Sequence, residues 1–390
     1  MAEQAQVLYV HRWGRIMGGG EMWLTTLCES LDRDRFSPSV AIHYREALAE
    51  RLIEYGIPVH ILPVHHLQVR PIGQGILSPW RILGSGVALY RLAKQLRAQI
   101  IHTFCLEALQ ASLLAGRMAR IPVVVSVLNS GPFMREDKIA LRLVDTTIAN
   151  AQSILDEIQA DGVALADACV IRLGIDTERF ATASGAAVRQ QLQVGDEVPL
   201  VGMVGNIEWR KGYDLLIRAA AQVTEQYPQT RFLIVGADNS ENGSETARLH
   251  ALAAELGVAQ HLVFMGARRD VPEILAALDV FVLCSRAEGL SQAMIEAMAA
   301  GKPVVVTPVG GTAEAVEQGK NGLLVPPNDP DALARGIRFL LANPGEARQM
   351  GLVGQQLAKS SYDVHACVRE TEAVYSRLLA ERRNGRRVAP

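Results

Sequence analysis

Short runs of Val and Ile alternate with helical patterns along the whole chain, and they do so in two successive series. Continuously apolar runs bounded by helical patterns are typical of parallel strands that are buried on both faces. Two successive βα series predict an α/β fold with two doubly wound, Rossmann-like sheets. A length of 390 residues exceeds the usual single core, which also favours two domains.

The predicted strands form a first set of seven and a second set of six. The first set comprises residues 7–11, 39–43, 59–62, 100–103, 123–127, 147–149 and 169–172. The second comprises 200–204, 232–235, 262–265, 280–283, 304–307 and 322–325. Helices are predicted at 21–31, 88–97, 108–120, 153–161, 213–226, 245–256, 271–277, 291–300 and 330–342. We expect domains at 1–180 and 181–363, with a linker at 181–195, where Ala, Ser and Gly dominate.

Composition places the chain among ordered α/β enzymes. Hydrophobic residues make up 49% and charged residues 21%, which excludes a disordered chain. The formal net charge of −2 gives no indication of a nucleic-acid partner. The five cysteines are scattered, none at metal-ligand spacing, and an odd number argues against a disulfide framework. We therefore expect no metal site, reduced thiols and a cytoplasmic chain.

Positive charge is concentrated between residues 60 and 135, where Glu107 is the one acid beside eight basic residues: Arg70, Arg81, Arg91, Lys94, Arg97, Arg117, Arg120 and Arg135. Residues 79–97 mix basic and apolar side chains. This mixture fits peripheral contact with an anionic inner membrane surface, or an anionic acceptor. It equally fits an amphipathic crossover helix, which is the simpler interpretation because sheet packing also requires an apolar face. No signal-peptide layout and no apolar run of roughly 18 residues occurs.

Two glutamates, Glu288 and Glu296, stand eight positions apart around a predicted helix start. Ser291 can cap that helix, which would place Glu288 in the preceding loop and Glu296 about 12 Å further along. Free N–H groups at the helix start form a natural anion site. A nucleotide diphosphate sugar fits this layout. The alternative is a surface helix with one exposed glutamate.

A second polar loop, residues 206–212, follows the strand at 200–204 and contains Asn206, Arg210 and Lys211. In open α/β sheets, ligands bind at the carboxyl edge of the strands, where this loop lies. A lysine there can provide a point charge for a diphosphate leaving group. The alternative is a pair of solvated basic residues before a helix.

Three consecutive glycines, Gly18, Gly19 and Gly20, join the first strand to the first helix. Glycines at a helix start let the backbone approach a ligand closely and expose N–H groups. The spacing is not that of a dinucleotide fingerprint, which argues against a nicotinamide oxidoreductase. His102 ends a strand, where a structural role is more common than a catalytic one.

These motifs together resemble the retaining glycosyltransferase family 4, whose GT-B fold has two Rossmann-like domains facing across a cleft. Residues 18–21 are similar to its Gly-Gly-x-Glu loop, and 174–180 to its Gly-Ile-Asp-x-x-x-Phe segment. Residues 206–212 resemble its diphosphate loop, and 288–296 its Glu-x7-Glu motif, followed by Ala-Met-Ala-Ala-Gly-Lys-Pro-Val-Val. The resemblance covers nearly the whole chain and implies a final helix, at about 364–382, that returns to the first domain.

The resemblance implies retaining sugar transfer from a UDP- or GDP-sugar to a glycan, lipid-linked or small-molecule acceptor, without a cofactor or an obligatory metal. Lys211 and Glu288 are then the catalytic candidates. Lys211 would neutralise the diphosphate, Glu288 would hold the sugar hydroxyls and Glu296 the ribose. The expected donor-binding residues are Gly19, Gly20, Asn206, Arg210, Lys211, Arg268, Glu288, Gly289, Leu290, Ser291 and Glu296. The expected acceptor or cleft residues are Gly18, His102 and Asn129.

Two positions depart from the family pattern. Asn206 stands where the family usually has Arg, and Arg210 is the candidate to supply the missing charge. Many members carry a His after the first-domain strand that ends near Val127, where this chain has Leu128, and Asn129 is the candidate substitute. Two alternatives therefore stay open: a nucleotide-sugar 2-epimerase of the same fold, and a catalytically inactive nucleotide-binding partner subunit.

Overall fold

The computed structural model describes residues 4–14, 18–65 and 79–384, and the chain divides into two compact units. The N-terminal unit comprises Met1–Gly174 and Val364–Pro390, and the C-terminal unit comprises Ile175–Asp363. Arg70 of the basic stretch lies outside the described residues. No helix in the described ranges combines the length and apolarity that crossing a bilayer requires.

The N-terminal unit begins with alternating strands and helices. They are β1 (Ala5–His11), α1 (Gly19–Ser30), β2 (Phe36–Ile42), α2 (Ala47–Glu54), β3 (Val59–Ile61), α3 (Pro79–Leu96), β4 (Ile100–Thr103), α4 (Leu106–Ala119), β5 (Val123–Val127), α5 (Arg135–Leu141), β6 (Thr146–Ala149), α6 (Gln152–Ala160) and β7 (Ala168–Val170). The seven strands form a parallel sheet in the order β3-β2-β1-β4-β5-β6-β7.

The register of the central strands aligns their carboxyl ends. Tyr9 of β1 lies opposite His102 of β4, and Val10 opposite Thr103. The Val and Ile side chains of these strands are completely buried, because helices cover both faces of the sheet. The loops after β1 and β4 therefore emerge side by side at the carboxyl edge.

The C-terminal unit contains the second series. Its helices and strands are α7 (Thr177–Ala181), α8 (Ala186–Gln191), β8 (Leu200–Val204), α9 (Tyr213–Gln226), β9 (Arg231–Val235), α10 (Ser244–Glu255), β10 (Leu262–Gly266), α11 (Val271–Ala277), β11 (Val280–Leu283), α12 (Gln292–Ala299), β12 (Val304–Val306), α13 (Thr312–Ala315), β13 (Leu323–Leu324), α14 (Pro330–Ala342) and α15 (Pro344–Ser361). Short 3-10 turns occupy Trp209–Lys211, Glu241–Gly243 and Ala259–His261. The parallel sheet has the order β10-β9-β8-β11-β12-β13.

The last helix, α16 (Val364–Arg383), belongs to the N-terminal unit, where it packs on α1. Tyr375 of α16 is completely buried and its hydroxyl lies 3.1 Å from that of Tyr9. The chain passes between the units at residues 174–175 and 363–364. Residues 181–195, predicted as a linker, instead belong to the C-terminal unit, where they form α8 and bury Val188 in its core.

Candidate functional site

The loop after β8 is fixed to the loop after β11 at the carboxyl edge of the C-terminal sheet. Gly212 ends the 3-10 turn with a φ of 76°, and a Cβ there would lie 2.2 Å from the carbonyl oxygen of Cys284. Only glycine fits both the left-handed backbone and this close approach. The backbone N–H of Arg286 donates to the carbonyl of Arg210 at 2.7 Å. These contacts set the position of Lys211.

Lys211 and Glu288, the two predicted catalytic residues, meet at this edge. Lys211 Nζ lies 2.5 Å from Glu288 Oε1, and the two side chains are 12% and 6% exposed. Ser285 Oγ donates to the same carboxylate oxygen at 2.7 Å. Arg210 NH1 lies 3.7 Å from Glu288 Oε2. The Glu288 carboxylate therefore lies beside two cations and a hydroxyl, in a site that is largely shielded from water.

The start of α12 lies directly after Glu288. The Ser291 hydroxyl caps the helix by accepting the N–H of Met294 at 3.4 Å. Gly289 and Leu290 lie between Glu288 and this cap, where backbone N–H groups and the helix dipole favour an anion. The loop of residues 310–312 is brought to the same place, since the Gly311 N–H donates to the Gly289 carbonyl at 2.5 Å.

Glu296 lies one turn into α12, and its side chain is partly buried. Burial raises the pKa of Glu296 to about 7, which the hydrogen bond from Gln292 and the charge of Arg179 offset only in part. Gln292 Nε2 donates to Glu296 Oε1 at 3.1 Å. Desolvation explains the direction of the shift, because a carboxylate among apolar side chains loses hydration that one amide replaces poorly.

Arg286 is a site residue that sequence reasoning missed. Its guanidinium makes a two-armed ion pair with Asp214 of α9, at 3.0 and 2.8 Å, and lies 4.5 Å from the ring centroid of Trp209. It also donates to the Trp209 carbonyl at 2.7 Å. Arg286 and Asp214 are 72 positions apart, so no spacing pattern could have indicated the pair. Together these contacts hold the turn that carries Arg210 and Lys211.

Arg268, predicted to bind the donor, lies elsewhere on the sheet. It follows β10, the outer strand, and β9 separates that strand from β8. Its guanidinium pairs with Asp270 at 2.8 and 2.6 Å and reaches Gln191 at 3.3 Å. The described contacts thus tie Arg268 to the loop before α11 and not to Lys211 or Glu288. Asn206 lies at the end of β8, partly buried, at the base of the Lys211 loop.

In the N-terminal unit, the glycine loop lies against Leu128, which follows β5. A Cβ at Gly20 would lie 3.0 Å from Leu128 Cδ1. Gly18 precedes α1, and Gly19 and Gly20 are its first residues. Asn129 is exposed after β5. The glycines and Asn129 are therefore at the carboxyl edge of their own sheet.

His102 is completely buried, with both ring nitrogens occupied. Nδ1 lies 2.5 Å from the Tyr375 hydroxyl, and Nε2 lies 2.9 Å from Ser126 Oγ. Burial lowers the pKa of His102 to about 3, so the ring is neutral. His102 joins β4, β5 and α16 in the core, which supports the structural interpretation. His102 was predicted to line an acceptor cleft, but its side chain is not accessible to solvent.

Two sequence models match consecutive parts of the chain. The model "Glycosyltransferase Family 4" matches residues 17–179, and "Glycosyl transferases group 1" matches residues 186–356. The chain belongs to the family 4, group 1 glycosyltransferases. The family predicted from the motifs is therefore confirmed.

Solved structures confirm the GT-B fold of this family 4 chain. Anabaena Alr3699/HepE in complex with UDP-glucose is 27% identical, with a TM-score of 0.82, and the match covers 95% of this chain and 99% of HepE. The complex of HepE with UDP and glucose gives a TM-score of 0.84 at 26% identity, covering 96% of this chain and 100% of HepE. The parallel seven- and six-stranded sheets are those expected for such a glycosyltransferase.

Curated relatives match a shorter part of this chain. The GDP-mannose-dependent alpha-(1-6)-phosphatidylinositol monomannoside mannosyltransferase of Mycolicibacterium smegmatis is 35% identical over 224 residues, 55% of this chain and 56% of that protein. The D-inositol 3-phosphate glycosyltransferase of Corynebacterium jeikeium is 33% identical over 196 residues, 48% of this chain and 47% of that protein. The chain thus spans about half the length of the curated relatives it matches.

Proposed function

We propose that the chain transfers a sugar from a nucleoside diphosphate sugar to an acceptor, with retained anomeric configuration. The observation that carries this proposal is the contact of Lys211 with Glu288 directly before the N-terminus of α12. A cation, a carboxylate and free backbone N–H groups are the three kinds of partner that a sugar diphosphate needs. The complex of the similar protein HepE with UDP-glucose supports this class of donor.

The chemistry follows from the charge that develops as the donor breaks. When the bond between the sugar and the diphosphate opens, the leaving oxygen gains negative charge, and a preorganised cation in a water-poor site stabilises it. Lys211 is the nearest cation, with Arg210 beside it and able to supply the charge that Asn206 does not carry. We propose that these two cations make the transfer independent of a metal.

Glu288 is assigned to the donor sugar. Its carboxylate accepts from Lys211 and Ser285, both at one oxygen, and the other oxygen is 3.7 Å from Arg210. When phosphate oxygens attract Lys211, hydroxyls of the sugar can take its place on the carboxylate. Glu296 is assigned to the ribose, and the placement of Gly19 and Gly20 near the phosphates rests on the resemblance alone.

For the acceptor, we propose a phosphate-bearing polyol or lipid-linked sugar, with peripheral contact to an anionic membrane surface. The names of two similar proteins include phosphatidylinositol monomannoside and inositol 3-phosphate. In this chain, Trp80 and Leu83 of α3 are 77% and 43% exposed, on a helix that also carries Arg81 and Arg91. Exposed apolar and basic side chains on one helix are typical of an interfacial contact.

The first experiment measures thermal shifts with UDP, GDP, ADP and NAD, in the native protein and in K211A. A nucleotide at 100 times its dissociation constant stabilises the folded state by about 2.7 kcal/mol. We expect one nucleoside diphosphate to raise the melting temperature of the native protein, and to raise that of K211A much less. NAD should not change the melting temperature of either protein. A shift with NAD alone, or equal shifts in both proteins, would overturn the donor assignment.

Product analysis separates transfer from the alternatives. Incubation with the nucleotide sugar of the selected base should give the free diphosphate only when an acceptor is present. Formation of an isomeric nucleotide sugar from the donor alone would identify a 2-epimerase. Nucleotide binding without turnover across phosphorylated polyol and lipid-linked acceptors would identify an inactive partner subunit.

A further inference from the structure

A cavity of about 480 Å³ opens at the amino edge of the N-terminal sheet. Two of its lining residues, Gln99 and Ile121, lie just before β4 and β5. The C-terminal ends of α3, α4 and α16 complete the lining. The glycine loop and Asn129, by contrast, are at the carboxyl edge of the same sheet. The cavity is therefore separate from the residues assigned to sugar transfer.

Four cationic side chains line this cavity, two from the end of α3 and two from the end of α16: Lys94, Arg97, Arg382 and Arg383. All four are exposed to solvent, and none forms an ion pair with a described residue. None of the described lining residues is acidic. The acid next to Arg382 in the sequence, Glu381, lies 3.7 Å from NH1 of Arg377. Positive charge is thus concentrated at the cavity without a matching acid.

The ends of three helices account for only part of this charge. The carbonyl groups at a helix C-terminus act as about half a negative charge, so Lys and Arg there stabilise the helix. Because α3, α4 and α16 all end at the cavity, they contribute roughly one and a half negative charges. Four full positive charges leave an excess of about two and a half, so the cavity still attracts anions.

The buried part of the cavity lining is apolar. Ala93, Ala98 and Ile121 are buried and form its floor, below the exposed cations. An apolar surface with a few polar groups is typical of a pocket for a small organic molecule, and such pockets measure about 300–1,000 Å³. Arginine side chains bind phosphate oxygens through paired N–H groups. The lining therefore suits an organic molecule that carries phosphate.

We propose that this cavity is a second anion site, which binds an organic molecule with two or more phosphate groups. A phosphate monoester carries about −1.5 to −2 charges at pH 7, so one group would leave part of the positive excess uncompensated. The phosphates contact the exposed cations, and the organic part lies on the apolar floor. Two sources offer this chemistry: a free polyphosphate and the headgroup of a phosphorylated lipid. The site does not depend on the proposed sugar transfer.

The first test is isothermal titration of the full chain with inorganic tripolyphosphate. The nucleoside diphosphate selected by the thermal screen is present at saturation, so that it occupies the donor site; if none binds, the titration is done without it. K94Q/R97Q should weaken tripolyphosphate binding on the order of tenfold, because two of the four cations are lost. R382Q/R383Q should weaken it by a similar factor, since both ends of the lining contribute.

The matched control is R51Q/R369Q, which removes two arginines of the same unit, on α2 and α16, that do not line the cavity. Its affinity for tripolyphosphate should stay within about twofold of the native value, because distant surface charges are screened by salt. Urea unfolding checks that each variant folds. Absence of tripolyphosphate binding, or an equal loss of affinity in the cavity and control variants, would overturn the proposal.

A second test distinguishes the two sources of the ligand. The free source is probed by titration with ATP, again with the donor site occupied. The lipid source is probed by cosedimentation with phosphatidylcholine vesicles that contain phosphatidylinositol 4-phosphate, compared with phosphatidylserine vesicles of equal charge. Loss of ATP binding in K94Q/R97Q would identify a free polyphosphate, and loss of binding to the phosphorylated lipid alone would identify a headgroup. If K94Q/R97Q binds both probes as the native protein does, the cavity is not a site for organic phosphates.

Discussion

Lys211 and Glu288 are 77 positions apart in the sequence, yet Nζ of the lysine lies 2.5 Å from Oε1 of the glutamate. Each of the two proposed catalytic side chains is held in place by the other. The pair is largely buried, so the loss of one partner exposes the other to an environment poor in water. Function and stability are therefore coupled at this contact.

Lys211→Ala is expected to abolish transfer and to lower the free energy of unfolding by about 1–3 kcal/mol, since it leaves the Glu288 carboxylate without its nearest cation. Urea unfolding and transfer with the nucleotide sugar selected by the thermal screen measure both effects. The control is the double variant K211M/E288Q, which has no unpaired charge. It should regain most of the stability but none of the activity. Full transfer in K211A would refute the catalytic assignment.

Glu296 should make the stability depend on pH in an unusual direction. Its pKa is raised from 4.5 to about 7 in the folded protein, so between these values the folded state binds more protons than the unfolded state. Stability contributed by this carboxyl is thus present below about pH 4.5 and is lost as the pH rises through about 7. Glu296→Gln removes this pH dependence. Relative to the native protein, the variant should therefore be more stable at pH 8 than it is at pH 5. Urea unfolding at the two pH values measures the difference in the free energy of unfolding between the two proteins. The same difference at pH 5 and pH 8 would show that Glu296 has an ordinary pKa in the folded protein.

The sheets could be predicted from sequence because their strands are buried on both faces. Residues 280–283 were predicted as a strand and form β11 with the same bounds. Helix α15 was not predicted, because its three glycines, Gly345, Gly351 and Gly354, disfavour a helix when read locally. The structure explains Gly351: a Cβ there would lie 2.1 Å from the carbonyl oxygen of Gly301. Close backbone packing of this kind leaves no local pattern.

Each loop of the candidate site could be recognised separately from sequence, whereas the side-chain contacts between distant loops could not. Lys211 and Glu288 were recognisable from the ends of their strands and from family motifs. The pairing of Arg286 with Asp214, and of Arg268 with Asp270, depends on side-chain directions that spacing does not give. Likewise, the end of a strand indicated that His102 was near an edge, but not that α16 covers it with Tyr375.

Arg286→Ala tests whether the missed arginine supports the site. It would leave Asp214, whose side chain is 16% exposed, without its ion-pair partner, and would free Trp209 from its cation–π contact. We expect a loss of about 1–3 kcal/mol in the free energy of unfolding and weaker nucleotide binding. The matched control is Arg268→Ala, because the Arg268–Asp270 pair is 25% and 37% exposed and should contribute only about 0.2–1 kcal/mol. Equal effects of the two variants on nucleotide affinity would contradict the role given to Arg286.

Gly310 lies where the loop before α13 crosses the backbone of Glu288. Its φ is 53°, and a Cβ would lie 2.0 Å from the Glu288 carbonyl oxygen. Gly310→Ala should therefore displace this loop from the N-terminus of α12 and weaken nucleotide binding as well as stability. Gly319→Ala is the matched control: its φ is 74°, but a Cβ there meets no atom within 4 Å. The control should lose only about 1–2 kcal/mol of left-handed backbone strain and bind nucleotide normally. Isothermal titration with the selected nucleoside diphosphate measures the affinity of both variants. Equal affinities would mean that donor binding does not need the contact between this loop and residue 288.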